Sequence, residues 1–396
     1  MTSSAADAAK EFRSFYGNLA DNLLKLLPKP KNIFGAASVV KFYRGRLHSK
    51  SFSLKKIKEE VVHKILLNLQ VSKAPGIDNI ASIFLKDGTE VICQPITQLI
   101  NLSIKLSSFP EAAKTAKVKP LFKKGSRLDP KNYRPISLLP ILSKIFERVV
   151  HDQTQGFLEE NRLFYKFQSG FRKNHSTNFS LSYLSDKISS GFDAGKFTGM
   201  ILIDLQKAFD TIDHSVLITK LRALNFGDET VSWFESYLSN RKFCVSVGQA
   251  MSEHGELGCG VPQGSILGPL LFLIYVNDME QAVTCELLLY ADDSCLLFQH
   301  KNVSEIERVL TTNFSSLCDW FVDNKLSIHF GDDKTKSILF SPKSKAKNAD
   351  SLNIVYHDVN IKQHTDAKYL GCILDQCLSG DLMATQKEQV SHPRAT

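Results

Sequence analysis

Two adjacent aspartates, Asp292 and Asp293, lie in the middle of a short apolar segment of this 396-residue chain. Apolar runs at residues 287–290 and 295–298 flank the pair, and this pattern predicts two buried strands joined by a tight turn. Two carboxylates about 4 Å apart repel each other by roughly 4 kcal/mol in an effective dielectric near 20. A rigid turn that holds both therefore predicts a bound cation, although an acidic pair is also typical of a solvated turn.

A second β-rich segment, residues 197–205, carries a single carboxylate near its end, Asp204. An aspartate there is also typical of a cap for the following segment, and we expect Asp210 and Asp213 to cap a turn or a helix start. Two-metal phosphoryl-transfer sites need carboxylates from separate rigid elements to hold ions about 3.5–4 Å apart. Mg²⁺ prefers oxygen ligands and commonly uses one or two carboxylates together with substrate phosphates. The two acidic segments together therefore predict such a site.

The composition favours a polyanionic partner and argues against a membrane or secreted protein. The formal net charge is +8 and the pI is about 8.9. The eight cysteines are scattered without a paired spacing, which indicates reduced thiols in an intracellular protein of the nucleus or cytoplasm. The longest apolar stretch, residues 266–276, is far shorter than the roughly 20 residues that span a bilayer. The N-terminus has no signal-peptide pattern.

Hydrophobic periodicity and turn residues predict several further elements. We expect helices at residues 12–27, 54–69, 90–107 and 266–279. Two strands are predicted at residues 118–124 and 133–136, within a region that carries eight basic residues against one acidic residue, and a strand–loop–strand at 326–340.

Seven short motifs occur in an order and at separations that resemble one known family. Together they resemble the reverse transcriptases of non-LTR retrotransposons, of the LINE type and similar to the jockey and CR1 groups, over roughly residues 70–375. The motifs lie at residues 74–78, 133–139, 167–172, 203–210, 260–269, 290–293 and 369–371.

The resemblance implies an α+β fold, with the fingers and palm of a right-hand polymerase and an antiparallel palm sheet. We expect an N-terminal helical connector at 1–70, fingers at 71–195, a palm at 196–375 and a C-terminal tail at 376–396. Only 21 residues follow Asp375, so we expect a truncated element whose thumb is largely missing and whose synthesis is distributive.

The implied reaction is RNA-directed DNA synthesis, in which dNTPs are added to a DNA primer 3′-hydroxyl on an RNA template. By resemblance, Asp204 and Asp292 hold two Mg²⁺ ions, with Mn²⁺ as the alternative, and the Leu205 carbonyl completes one coordination shell. Asp293 is a supporting catalytic carboxylate, because neighbouring side chains of a strand point in different directions. The residues indicate no membrane and no obligate protein partner.

The resemblance also assigns residues to the nucleotide and to the nucleic acid. The nucleotide-binding candidates are Lys123, Arg134, Leu205, Phe209, Gln263 and Lys334. The nucleic-acid candidates are Lys124, Gln168, Arg172 and Gly264, and Lys124 is also the alternative to Lys123 at the triphosphate. Phe209 would exclude a 2′-hydroxyl, and Lys334 would act as a general acid towards pyrophosphate. The basic segment could instead be a solvated face, Phe209 a core residue and Lys334 a surface residue. Asp278 is expected to be structural.

Two other functions remain open. The first is an inactive or co-opted nucleic-acid-binding remnant of a retroelement that keeps the basic groove. The second is a group II intron-type maturase, which shares the palm. The sequence at residues 207–210 and 133–139 favours the LINE interpretation, and no maturase domain follows.

Overall fold

The computed structural model describes residues 4–47, 51–331, 333–342 and 351–379. The helices are α1 Ala5–Gly17, α2 Leu19–Leu24, α3 Ala36–Arg44, α4 Glu59–Leu67, α5 Ser82–Asp87, α6 Thr89–Lys105, α7 Ile141–Glu160, α8 Thr177–Asp193, α9 His214–Ala223, α10 Asp228–Leu238, α11 Leu267–Val276 and α12 Val303–Asp323. The strands are β1 Thr115–Phe122, β2 Tyr133–Leu138, β3 Phe197–Ile203, β4 Arg241–Val247, β5 Ala250–Met251, β6 Gly255–Leu257, β7 Glu286–Tyr290, β8 Asp293–His300, β9 Lys336–Phe340, β10 Ile354–Tyr356, β11 Val359–Ile361, β12 Asp366–Tyr369 and β13 Cys372–Asp375.

The chain forms two compact units, and each unit is built from separate stretches of sequence. The first unit takes the described parts of residues 1–27, 36–164 and 209–275. The second takes those of 28–35, 165–208 and 276–396. The expected functional division at residues 70, 195 and 375 stays a prediction, and most of the expected tail lies outside the described residues.

A mixed sheet forms the centre of the first unit. Its strands lie in the order β2-β1-β4-β5, with β6 also paired to β4. The predicted basic hairpin is confirmed, since β1 and β2 pair antiparallel from Lys117 opposite Leu138 to Phe122 opposite Tyr133. Strand β4 joins β1 in parallel. A small core beneath this sheet contains Tyr16, Val118 and Phe243.

The helix predicted at residues 12–27 is interrupted in the structure. Helix α1 starts earlier, at a Ser4–Asp7 capping box, and α2 follows after Asn18. The Asn18 side chain donates a hydrogen bond to the Ser14 carbonyl at 2.9 Å, which satisfies one of the last carbonyls of α1. The amphipathic pattern therefore indicates helix correctly but misses this interruption.

The helix predicted from residue 54 starts only at Glu59, so its first turn is wrong. The amides of Leu54, Lys55 and Ile57 instead donate to the side chains of Thr230, Gln153 and Asn101, at 3.0, 2.8 and 2.8 Å. Because acceptors from distant parts of the chain satisfy these amides, the segment stays extended despite its helical periodicity. By contrast, the helix predicted at residues 90–107 is confirmed as α6.

The second unit contains an antiparallel sheet in the order β7-β8-β3-β9. Strand β3 lies in the middle and pairs with β8 on one side and β9 on the other. Its side chains are almost entirely buried, which agrees with the apolar run that predicted it. Two further hairpins, β10–β11 and β12–β13, belong to this unit. Of the strand–loop–strand predicted at residues 326–340, only β9 is a strand; residues 326–330 contribute a single bridge, Ile328 to Leu205.

The mixed α+β architecture is consistent with the fingers and palm of a polymerase, as the sequence predicted. Helix α11 ends at Val276, slightly before the predicted end. Within the described ranges, no helix is both long enough and apolar enough to cross a membrane.

Candidate active site

The two aspartates lie at the tip of the predicted hairpin. Strands β7 and β8 pair from Glu286 opposite Leu297 to Tyr290 opposite Asp293. The last pair leaves Ala291 and Asp292 as a two-residue loop, and Ala291 has a φ of 56°. Two-residue hairpin loops with positive φ at the first position match the right-handed twist of the strands. Asp292 therefore projects at the loop, and Asp293 begins the outgoing strand.

Asp204 lies directly beside this hairpin in the second unit. Strand β3 pairs with β8 as far as Ile203 opposite Ser294, so the next residue, Asp204, adjoins Asp293. Beyond the strand, Leu205 forms an isolated antiparallel bridge with Ile328, which lies outside the hairpin. The hydrogen bonds of this bridge run from the Gln206 amide to the Ser327 carbonyl and from the His329 amide to the Asp204 carbonyl. This pattern does not use the Leu205 carbonyl, which was the expected metal ligand.

Burial and two neighbouring carboxylates raise the pKa of Asp293 above its ordinary value. Partial withdrawal of its carboxyl group from water, followed by the charges of Asp292 and Asp204, raises the pKa of Asp293 to about 6. Lys334 opposes this shift. The residue as a whole is exposed to solvent, which screens these charges. The direction of the shift means that a cation near the three carboxylates is favourable.

Lys334 supplies such a positive charge. Its Nζ lies 3.0 Å from Asp204 Oδ2. The following residue, Thr335, accepts a hydrogen bond from the Asp204 amide through its hydroxyl, at 3.3 Å. Lys334 is therefore adjacent to the acidic cluster, while its general-acid role stays a prediction.

A cleft of about 310 Å³ opens beside Asp204 and Asp293. Three lysines line it, Lys334, Lys336 and Lys368, together with the tip of the β12–β13 hairpin at Leu370 and Gly371. Lys336 and Lys368 were missed by the sequence analysis. The signal for Lys368 was its position directly before the motif at 369–371, which was recognised only as a marker of the family.

The three aspartates offer carboxylate oxygens, which are the ligands that Mg²⁺ prefers. Within the described ranges, no three acidic, histidine or cysteine side chains form a group that could hold a metal ion. Mg²⁺ sites that use substrate phosphates need only one or two protein carboxylates. An ammonium group already contacts Asp204, which indicates that this position favours a cation.

Gln168 and Arg172, expected at the nucleic acid, make contacts inside the second unit. Gln168 is only 2% exposed, and its Oε1 accepts hydrogen bonds from the amides of Gly170 and Ala291. The Arg172 guanidinium donates to the carbonyls of Tyr165 and Gln168, at 3.4 and 3.2 Å. Both side chains thus hold the loop that precedes α8.

The remaining candidates lie in the first unit. Lys123, Lys124 and Arg134 are exposed on the β1–β2 hairpin, and the Lys123 amide donates to the Asn132 carbonyl at 2.8 Å. Exposure on a basic hairpin is compatible with binding a polyanion, and it does not distinguish Lys123 from Lys124.

Gln263 is half-buried and pairs with Asp210. Its Nε2 donates to Asp210 Oδ2 at 2.8 Å, and its carbonyl accepts from the Ser137 amide at the same distance. Asp210 was expected only as a cap, so its pairing with Gln263 was missed. Gly264 adopts a φ of +118°, and a Cβ there would lie 2.5 Å from the Ser137 carbonyl oxygen. The loop therefore requires glycine at this position.

Phe209 stacks on Phe272 of α11, with ring centroids 4.7 Å apart and ring planes 21° apart. One face of the Phe209 ring is thus held by the core, while the residue stays partly exposed. The two other aspartates have structural contacts, as expected. Asp213 caps α9 by accepting from the Val216 amide. Buried Asp278 accepts from Gln281 and Trp320.

Comparisons with known proteins agree with the motifs. The family model described as reverse transcriptase (RNA-dependent DNA polymerase) matches residues 121–374. The chain is 31% identical over 338 residues to the probable RNA-directed DNA polymerase from transposon BS of Drosophila melanogaster, covering 83% of this chain and 37% of that protein. It is 28% identical over 384 residues to the RNA-directed DNA polymerase from mobile element jockey of Drosophila funebris, covering 94% and 40%. The chain spans about two fifths of the length of these relatives.

Proposed function

The chain belongs to the reverse transcriptase family, and from this premise we propose that it adds dNTPs to a primer 3′-hydroxyl on an RNA template. The two relatives described above are named as RNA-directed DNA polymerases of transposable elements, which supports a LINE-type retroelement as the source of this activity.

One observation supports the proposal most. Asp204 at the end of β3 adjoins the Asp292–Asp293 turn of the β7–β8 hairpin. The charges of Asp204 and Asp292 both contribute to the raised pKa of Asp293. Such a cluster on a rigid sheet is what two-metal nucleotidyl transfer requires.

In this proposal, Asp204, Asp292, Asp293 and the Leu205 carbonyl hold two Mg²⁺ ions, or Mn²⁺ ions in their place. Bound divalent ions lower the pKa of an attacking hydroxyl and neutralise charge on the transferred phosphoryl group. The protein's own contribution is to hold the carboxylates on separate strands, so that their geometry is set before substrate binds.

Basic residues of this chain then act on the phosphates. The cleft lysines attract the polyanionic substrate, and Lys334 donates a proton to the departing pyrophosphate. Lys123 and Arg134 bind the triphosphate, Arg134 through the two-point contact that a guanidinium makes with phosphate.

The remaining candidates select and align the substrate. The Phe209 ring, fixed by Phe272, excludes a 2′-hydroxyl, and Gln263, fixed by Asp210, contacts the nucleotide. Exposed Lys124 contributes to the charge that binds the RNA template and DNA primer.

The test is a primer-extension assay with the purified chain, an RNA template, a DNA primer, dNTPs and Mg²⁺. We expect extension by the wild-type chain and its loss in Asp292→Asn, with RNA affinity unchanged in a binding assay. RNA binding without extension by the wild-type chain would instead favour the nucleic-acid-binding remnant.

A further inference from the structure

The side chain of Gln168 lies directly beneath the acidic turn. Its Oε1 accepts hydrogen bonds from the Gly170 amide at 2.8 Å and from the Ala291 amide at 3.0 Å. Because two N–H groups point at this one atom, the atom must be the amide oxygen and not the nitrogen. Gln168 thus contacts the backbone immediately before Asp292.

The backbone that it contacts is an unfavourable one. Ala291 has a φ of 56°, a region that residues other than glycine rarely adopt. Such conformations persist only where the surroundings determine them, and they are concentrated at functional sites. The hydrogen bond from the Ala291 amide to Gln168 is a specific contact that holds this conformation.

The segment around Gln168 is also fixed against strand β7. The Ser169 amide donates to the Leu289 carbonyl at 2.9 Å, and the Leu289 amide donates to the Phe167 carbonyl at 3.0 Å. At Gly170 the approach is so close that an added Cβ would lie 2.1 Å from the Ala291 nitrogen. Backbone hydrogen bonds on both sides of Gln168 therefore hold it next to the turn.

Gln168 buries a polar group at an energetic cost that packing alone does not explain. Its Nε2 is buried and has no hydrogen-bond partner among the residues that the structure describes. A buried donor without a partner is unfavourable, so an apolar side chain of the same shape would suit the core better. The amide oxygen is what the site needs from this residue.

We propose that Gln168 is a positioning residue that fixes the Ala291 backbone and thereby aims the Asp292 carboxylate at the divalent ions. This role differs from the nucleic-acid contact expected from the sequence. It rests on the proposed function, in which Asp292 is a metal ligand. Residues that orient metal ligands typically change metal affinity by about 10- to 100-fold when they are replaced.

The test compares Gln168→Met with a matched control, Gln299→Met. Methionine keeps the length of the side chain and removes its hydrogen bonds. Gln299 also makes two hydrogen bonds, to Lys187 and Thr198, but it lies near the far end of β8 from Asp292. Mn²⁺ binding to each protein in complex with a dideoxy-terminated primer on its RNA template and the matching dNTP is measured by EPR spectroscopy, together with thermal unfolding and kcat and KM for dNTP.

We expect Gln168→Met to weaken Mn²⁺ binding about tenfold and to lower kcat with little change in KM, while its Tm falls no more than that of Gln299→Met, which also loses two hydrogen bonds. Gln299→Met should keep wild-type Mn²⁺ affinity. Gln168→Glu, which retains an acceptor oxygen, should recover most of the affinity lost in Gln168→Met.

Unchanged Mn²⁺ affinity in Gln168→Met, or the same loss in Gln299→Met, would overturn the positioning role. Failure of the Glu variant to bind Mn²⁺ better than the Met variant would also overturn it. Absence of Mn²⁺ binding by the wild-type protein is a different result, because it would contradict the metal site of the proposed function itself.

Discussion

The Nζ of Lys334 lies 3.0 Å from Asp204 Oδ2, although the two residues are 130 positions apart in the sequence. Their side chains are 31% and 34% exposed, so solvent screens the pair and its strength is that of a surface ion pair, about 0.2–1 kcal/mol. The lysine would therefore compete only weakly with a divalent ion bound through Asp204 in the proposed site.

Replacing Lys334 by methionine should separate its competition with Mg²⁺ from its role as a general acid. Without the competing ammonium, the Mg²⁺ concentration for half-maximal activity should fall by up to about fivefold, the equivalent of a surface ion pair. The rate at saturating Mg²⁺ should fall about 100-fold or more if Lys334 is the general acid. Steady-state primer extension across a Mg²⁺ titration measures both effects. Lys301→Met, on the exposed loop after β8, is the control and should change neither.

Phe209→Val should relax the discrimination between dNTPs and rNTPs. The smaller side chain leaves room for a 2′-hydroxyl, and contacts of this size are worth about 1–3 kcal/mol, or roughly 10- to 200-fold. The ratio of kcat/KM for the two nucleotide types measures the change. Phe272→Leu, which removes the stacking partner but keeps the Phe209 ring, should change the ratio less. An unaltered ratio in Phe209→Val would mean that Phe209 is only a core residue.

Gly264→Ala should destabilise the first unit. Its φ of +118° is strained for alanine, and the new Cβ would lie 2.5 Å from the Ser137 carbonyl oxygen. We expect a loss of about 1–3 kcal/mol in the free energy of unfolding, measured by urea titration. Gly258→Ala is the matched control, because no atom lies within 4 Å of its added Cβ. Equal stability of the two variants would contradict the described backbone.

Stability should fall between pH 7.5 and 5.5 through His214. Burial lowers the pKa of His214, Arg241 lowers it further, and the hydrogen bond to the Gly260 carbonyl and the charge of Asp213 oppose the shift. The folded state therefore binds fewer protons than the unfolded state, whose histidine titrates near 6.5. The free energy of unfolding should thus be highest above that value and decrease as the pH drops through it.

His214→Gln tests this directly. Glutamine can still donate to the Gly260 carbonyl, as the imidazole Nε2 does at 2.8 Å, but it does not titrate. Urea unfolding at the two pH values should show a smaller loss of stability in the variant than in the wild type. A loss as large as that of the wild type would assign the pH dependence to other groups.

The local parts of the site could be predicted from the sequence. Two apolar runs separated by a short polar interruption indicate the β7–β8 hairpin, and the family motifs identify Asp204 as its partner. The contacts that support the site were beyond such reasoning. Gln168 accepts the Ala291 amide hydrogen, and Leu54 is extended because Thr230 accepts its amide hydrogen. Each depends on residues far away in the chain, and no local pattern reports that proximity.

The central claim is that the carboxylates of Asp204, Asp292 and Asp293 drive nucleotide transfer. The most direct measurement is the single-turnover rate of nucleotide addition to a DNA primer on an RNA template, at saturating Mg²⁺. We compare Asp204→Asn with Asp333→Asn, which removes another carboxylate that lines the same cleft. We predict a fall of about 1,000-fold or more in Asp204→Asn, because a carboxylate that would hold the metal ions is lost, and less than about threefold in Asp333→Asn, because an exposed charge contributes little. An Asp204→Asn variant that adds nucleotides at the wild-type rate would contradict the account.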